Sequence, residues 1–388
     1  MRVLLIHNMY QQAGGEDTVF QEEAALLAKN GHVVDKLVFD NRDIQSWFDK
    51  LLAGLFVIYN PMSAKVIKRR ILNFRPDVIH VHNFVPLASP AIFIVAKRLR
   101  IPVVMTLHNF RMLCPSTTLF YNNKVYERSI GRTFPVHAIV HGVYRNSRFQ
   151  TLALVLMLAV HSALKTWRKG VTRYIVMTRF AMSKFEQGNL GIATDQYVIK
   201  PNFVQDFGLG NAEREAFFLF VGRLSEEKGI RTLIEACRGE DFSVTIIGDG
   251  PLRTLVEECA ADNPMIQYLG FQKRSDIIDT MKRCRALIFP SGCYEGCPMT
   301  ILEAYATGTT VIASNLGAMA EIVEDGRNGL HFEPGNANDL KEKIKLLLDR
   351  DLTNKLSTNA RLTYTTRYSP QKNYEQLISL YRSISVYE

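Results

Sequence analysis

Tyr294-Glu295-Gly296-Cys297-Pro298-Met299-Thr300-Ile301-Leu302-Glu303 decides how this 388-residue chain is read. Two carboxylates stand on either side of a proline, at Glu295 and Glu303. Proline is favoured in the first turn of a helix, so a helix is expected to begin near Pro298 and to leave Glu295 in the loop before it. The backbone N–H groups from Cys297 to Thr300 then have no partner within the helix. Such a terminus attracts anions and can donate to the oxygens of a polar ligand, while Glu303 lies roughly 7 Å further along at ~1.5 Å per residue. A sugar at one end and a nucleoside at the other would suit this arrangement.

Two glutamates alone are more often solvated surface acids. Their surroundings argue otherwise. Ala286-Leu287-Ile288-Phe289-Pro290 reads as a buried strand, and Ala304, Ala306 and Gly308 lead to a second buried strand, Thr310 to Ala313. The unit is strand, loop, helix, strand, with both acids at the carboxyl end of a strand, where open α/β sheets place ligands.

Other segments carry similar signals. Phe220-Val221-Gly222-Arg223-Leu224-Ser225-Glu226-Glu227-Lys228-Gly229 places a planar cationic fork and a compact point charge after a strand, a combination suited to two linked phosphates. Ile246-Ile247-Gly248-Asp249-Gly250-Pro251 and Leu269-Gly270-Phe271 read as two further strand ends. Near the start, Gly14-Gly15 separates a strand from a helix expected near Asp17, and glycine lets backbone approach a ligand closely. His108 ends the run Val103 to Leu107, where an isolated histidine is ordinarily structural.

In this order the segments resemble the retaining glycosyltransferases of the GT-B fold, the family 4 and group 1 enzymes of bacterial surface polysaccharide synthesis. Glu295 and Glu303 match that family's E-x7-E signature, and Arg223 to Gly229 its R-x4-K-G segment. The resemblance implies an α/β fold of two Rossmann-like, doubly wound parallel-sheet domains facing a deep interdomain cleft. Residues 1–205 would form the acceptor domain, 206–365 the nucleotide-sugar domain, and 366–388 a helix crossing back to the first domain.

It further implies catalytic roles for His108, Arg223, Lys228 and Glu295. Donor contacts would come from Gly15, Gly222, Arg223, Lys228, Gly270, Phe271, Glu295, Gly296, Cys297, Met299, Thr300 and Glu303. Gly14 and Glu16 would lie on the acceptor side. Glu295 would orient sugar hydroxyls, Glu303 would bind the ribose, and backbone near Gly270 and Phe271 would hold the base. Many relatives carry an aspartate where this chain has Asn109, which leaves the duty of His108 open.

Length favours two domains. An alternation of strands and helices supports two parallel sheets, with strands expected near Val3 to His7, Val33 to Phe39, Val78 to His82, Val103 to His108, Tyr174 to Met177 and Tyr197 to Ile199. A second series runs through Phe218 to Val221, Val244 to Ile247, Ile266 to Leu269, Leu287 to Phe289 and Val311 to Ala313. Helices are expected at Asp17 to Ala28, Ser63 to Leu72, Thr353 to Tyr368 and Pro370 to Ser383. The breaker-rich connector from Pro201 to Asn211 reads as the hinge.

Charge divides unevenly. Residues 1–205 carry 26 Lys and Arg against 12 Asp and Glu, a net +14, and the remainder is net −5, giving the chain's +9. The basic half should meet something acidic, and no nucleic-acid motif accompanies it. The apolar run 151–164, with basic flanks and Trp167 nearby, is too short to span a bilayer and is read either as a helix on an anionic membrane surface or as a core helix.

The chain opens directly on a strand, so a cytoplasmic enzyme peripheral to the inner face of the cytoplasmic membrane is expected. The partners expected are a UDP- or GDP-hexose and a lipid-linked or oligosaccharide acceptor. Oligomeric state is not readable. No cofactor is expected and no metal. Asp349-Arg350-Asp351 sits at a helix end and reads as a cap, and His80 and His82 are expected to face different sides of their strand. Two rival readings remain: a sugar-nucleotide epimerase on the same fold, and a non-enzymatic nucleotide-sugar-binding protein associated with the membrane.

Overall fold

The computed structural model describes residues 1–11, 14–211 and 213–385. The last three residues of the segment 366–388 therefore lie outside the described residues. The chain divides into two compact units. Unit 1 comprises Met1–Tyr121, Tyr126–Lys200 and Tyr374–Glu388, and unit 2 comprises Asn122–Val125 and Pro201–Asn373.

Unit 1 is built on six strands: β1 Arg2–Met9, β2 Val33–Asp40, β3 Val78–Val81, β4 Val103–Thr106, β5 Arg173–Val176 and β6 Tyr197–Ile199. All pair in parallel, in the order β2-β1-β3-β4-β5-β6. Central strands of such sheets are covered on both faces, and Val3, Leu4, Leu5 and Ile6 in β1 are accordingly fully buried. One face packs against Phe20, Ala24 and Leu27 of the helix Gly15–Lys29 and against Leu377, Ile378 and Tyr381 of the helix Pro370–Ile384.

Unit 2 repeats the plan with β7 Phe217–Val221, β8 Ser243–Ile247, β9 Ile266–Tyr268, β10 Ala286–Phe289, β11 Thr310–Ser314 and β12 Gly329–Phe332. Its order is β9-β8-β7-β10-β11-β12, again parallel, the order of a dinucleotide-binding sheet. The aliphatic and aromatic side chains of β7, β8 and β10, such as Phe218, Phe220, Ile246 and Ile288, form its core with the helices on that face.

Among the elements that the sequence reading does not name, two are instructive. β12 starts on Gly329, and glycine weakens a strand signal, yet a Cβ there would lie 2.3 Å from the Val311 carbonyl oxygen, so the close pairing with β11 requires it. The helix Trp47–Phe56 has a one-sided apolar face, with Trp47, Phe48, Leu51, Leu52 and Leu55 opposite Asp49 and Lys50, although none of its residues is buried. Its local signal was a capping box, in which Ser46 accepts from Asp49 N and the Asp49 carboxylate accepts from Ser46 N.

The run 151–164 falls in the helix Arg148–Ala163, which buries Thr151, Leu154, Val155, Met157 and His161. Trp167 is fully buried beside Phe84 and Phe93, so it is a core residue and no anchor at a membrane interface. Among the described residues, no single helix is long and apolar enough to cross a membrane.

Candidate functional site

In unit 2 the strand order reverses direction between β7 and β10, and the loops leaving those two strands carry Lys228 and Glu295. Crevices at such reversals are where open α/β sheets receive ligands. Glycine brings the loops together: Gly229 has φ +70°, and a Cβ on it would fall 1.8 Å from the Pro290 carbonyl oxygen. Gly292 N donates to Glu227 O at 2.9 Å. Ser291 Oγ lies 3.1 Å from Glu227 O and 2.9 Å from Glu295 Oε1, and its one proton serves one of them at a time.

Lys228 Nζ donates to Glu295 Oε1 at 2.6 Å and stands 5.9 Å from the centre of the Phe289 ring. Burial works against the Lys228 charge, but the neighbouring carboxylate and its hydrogen bond outweigh burial, so the ammonium titrates above the ordinary lysine range. Beside them, burial pushes the Cys293 thiol up to about 12. Arg223 is exposed and makes no side-chain hydrogen bond or ion pair among the described residues. Its neighbour Gly222 donates to Ile247 O at 3.1 Å, and a Cβ on Gly248 would fall 1.9 Å from Gly222 O.

Gly248 N in turn donates to Gly270 O at 2.9 Å, so the loops after β7, β8 and β9 are stitched edge to edge, with the Phe271 side chain 78% exposed beyond them. Pro298 caps the helix Met299–Ala306. Gly296, Met299 and Thr300 are half-buried at its start, and Cys297 is buried. Glu303, on the same helix, accepts from Arg274 Nε at 2.9 Å, and the Arg274 guanidinium lies over the Phe207 ring. Arg274 escaped the sequence reading because it meets Glu303 from another element, and Ser291 because it bridges Glu295 on its own loop to Glu227 on another.

Unit 1 holds a second cluster. His108 Nε2 lies 3.0 Å from His82 Nδ1, with the rings stacked, and His82 Nε2 lies 3.3 Å from Glu23 Oε2. Glu23 Oε1 accepts from Lys200 Nζ at 2.6 Å, and both side chains are almost wholly buried. His80 reaches Tyr381 OH and Thr106 Oγ1, each at 2.7 Å.

The expectation that His80 and His82 face different sides is corrected here. Strand side chains repeat every two residues, so both lie on one face, with ring centres 4.3 Å apart. Glu23, His80 and His82 place ligand atoms within 4.8 Å of one another. The group does not suit a cation, because the Lys200 ammonium already occupies Glu23 and both His80 nitrogens are engaged. Burial holds His80, His82 and His108 below the ordinary histidine range. For Glu23, burial alone would raise the carboxyl, but Lys200 and His82 reverse it and hold it well below the ordinary value.

Gly14 caps the helix Gly15–Lys29, and its N–H donates to Asp17 Oδ2 at 2.8 Å. Glu16 accepts from Tyr10 OH at 2.8 Å and from Asn109 Nδ2 at 2.7 Å, so Asn109 holds an acid. Asp349 caps the helix Arg350–Thr363 by accepting from Asp351 N and Leu352 N.

Two family models cover most of the chain. The model described as Glycosyltransferase Family 4 matches residues 13–205, and that described as Glycosyl transferases group 1 matches residues 203–363. The chain is a GT-B glycosyltransferase related to these two families. An uncharacterized glycosyltransferase of Methanocaldococcus jannaschii is 36% identical to it over 172 residues, 44% of this chain and 48% of that protein.

The Campylobacter jejuni N,N'-diacetylbacillosaminyl-diphospho-undecaprenol alpha-1,3-N-acetylgalactosaminyltransferase is 31% identical over 39% of this chain and 40% of its own length. This GT-B glycosyltransferase thus spans half or less of the length of these curated relatives where it matches them. Across 99% of its chain it superposes on the whole of the Anabaena HepE structure, solved in complex with UDP, with a TM-score of 0.70 at 19% identity.

Proposed function

We propose that the enzyme moves a hexose from a UDP- or GDP-sugar to a hydroxyl of a lipid-linked saccharide during assembly of a surface polysaccharide, with retention at the anomeric carbon. The observation that carries this reading is the meeting of Lys228 with Glu295 at the strand-order reversal of unit 2. A fixed cation there would face the diphosphate, and a carboxylate beside it would orient the hexose hydroxyls.

In the reaction, the bond from the anomeric carbon to the diphosphate oxygen breaks while the acceptor oxygen bonds to that carbon from the same face. The acceptor's proton passes to the departing diphosphate. Negative charge grows on the leaving oxygen, and Lys228 and Arg223 stabilise it, each worth on the order of 3 kcal/mol. Glu303, bound to Arg274, would take the ribose hydroxyls, with backbone at Gly270 and Phe271 holding the base and N–H groups of Cys297, Met299 and Thr300 reaching donor oxygens.

UDP bound to the similarly folded Anabaena protein supports a uridine donor, and the acceptor named for the Campylobacter relative supports a diphosphate-linked lipid. The basic first half and the exposed Trp47, Phe48 and Leu55 of the helix Trp47–Phe56 support seating on the cytoplasmic face of an anionic membrane. No metal is assigned a role, since fixed cations stand where one would act.

The test is a panel of UDP- and GDP-sugars with undecaprenyl-diphosphate saccharides, scored by NMR of the new anomeric centre. One donor should give a product of unchanged anomeric configuration in the presence of EDTA. Inverted product, or turnover that returns only with added Mn²⁺, would overturn the mechanism.

A further inference from the structure

At the carboxyl ends of β1 and β3, where the order of the unit 1 sheet reverses, lies a pocket with a cavity volume of about 100 Å³ that opens to solvent. All its lining residues belong to unit 1. Its lining is mixed: Ala53 of the helix Trp47–Phe56, Val57 just after that helix, and Ala153 and Leu154 of the helix Arg148–Ala163 are apolar, while Gln11, Asn41, Tyr144 and Gln150 are polar. Lys50, Arg111 and Arg145 line it as well, and no carboxylate does so among the described residues.

Arg111 singles the pocket out. It is 8% exposed, its Nη1 donates to Asn83 Oδ1 and its Nη2 to Tyr10 OH, each at 3.0 Å, and its buried Nε has no hydrogen-bond partner. A guanidinium keeps its proton and has five donors to satisfy. Both of its side-chain hydrogen-bond partners here are neutral, and Glu16, bound to the Tyr10 hydroxyl, acts on it by charge without a direct hydrogen bond. A buried cation in that state is costly, and an anion entering the pocket would relieve it.

We propose that this pocket binds the phosphate of the acceptor, as a phosphate or diphosphate ester whose apolar chain lies along Ala53, Val57, Ala153 and Leu154. The proposal deepens the lipid-linked reading above and rests on it. Three cations without an acid select the anionic group, and Ala53, Val57, Ala153 and Leu154 offer the hydrocarbon an apolar strip beside it. The chain's exit is marked by Trp47 and Phe48, 75% and 52% exposed on the same helix as Ala53.

The experiment is calorimetric titration of the full chain, saturated with UDP, with farnesyl diphosphate, inorganic pyrophosphate and farnesol. Farnesyl diphosphate should bind at least about tenfold more tightly than pyrophosphate, the worth of two buried methylenes or more, and farnesol should not bind. Lys50→Glu and Arg145→Glu, both at exposed positions, should each weaken it by about tenfold, the size of one charge-assisted hydrogen bond, and leave UDP affinity unchanged.

Arg111→Gln should abolish binding, and the two exposed variants carry the test if that one does not fold. Equal affinity for pyrophosphate and farnesyl diphosphate would overturn the lipid-ester assignment. Absence of farnesyl diphosphate binding with UDP binding intact would overturn the pocket and spare the glycosyltransferase reading. Failure of the wild type to bind any nucleotide would instead strike the reading on which the proposal rests.

Discussion

Lys228 Nζ stands 2.6 Å from Glu295 Oε1 although 67 residues separate them in the chain. Each arrives on its own loop, and Gly229, packed against the Pro290 carbonyl, sets the spacing between those loops. The half-buried pair holds both side chains in fixed rotamers, which is the preorganisation a site for growing charge requires. Under the proposed reading, the groups for sugar and phosphate are then adjacent within one unit.

Lys228→Ala should lower sugar transfer by about a hundredfold, the range for removing one preorganised donor to a developing oxyanion. Glu295→Gln should also reduce turnover, and the double variant should lose less than the two single losses combined, because the residues are in direct contact. Steady-state kinetics of the three variants check this, and additive losses would mean that the pair does not act as a unit.

Gly229→Ala should destabilise unit 2 by about 2 kcal/mol or more. The positive φ alone costs a Cβ-bearing residue about 1 kcal/mol, and the methyl group meets the Pro290 carbonyl at 1.8 Å. Thermal unfolding reads the stability, and UDP affinity should fall with it because both loops must separate. An unchanged melting temperature would show that the loops are free to move apart.

Lys200→Met should cost about 3–5 kcal/mol by stranding the Glu23 carboxylate, which is 1% exposed, in the core of unit 1. Adding Glu23→Gln should recover part of the loss by removing the stranded charge. Chemical denaturation of the single and double variants tests the pairing. A double variant less stable than the single one would contradict it.

Acid should unfold unit 1 early. His80, His82 and His108 stay neutral in the native state below their ordinary value of 6.5, while in the unfolded chain they take up protons there. Unfolding is therefore favoured progressively as pH falls below about 6.5. Glu23 adds to the trend, because its native value is lowered from 4.5 and its contribution is lost as pH falls from 4.5 toward that lower value. Melting temperatures should hold from pH 7.5 to about 6.5 and decline from there to pH 5, and a flat profile across the whole range would contradict the buried network.

Much of this was legible in the sequence for a physical reason. Runs such as Val3-Leu4-Leu5-Ile6 and Ala286-Leu287-Ile288-Phe289 are apolar on both faces, which only a covered parallel sheet explains. β12 was hidden because it begins on a glycine, whereas the helix Trp47–Phe56 was readable from its apolar periodicity and its capping box and was passed over. Glu23 with Lys200 and Glu303 with Arg274 meet across 177 and 29 residues, and no local spacing encodes such partners. His80 and His82 were readable and were assigned to opposite sides, although a period of two places them together.

The central claim is that Lys228, beside Glu295, holds the donor's diphosphate. Calorimetric titration of UDP into the wild type and Lys228→Ala tests it most directly, with melting temperatures recorded for both. The expected result is an affinity reduced by about tenfold or more in a variant whose fold persists, the worth of one charge-assisted hydrogen bond. Equal affinities in two folded proteins would contradict the account.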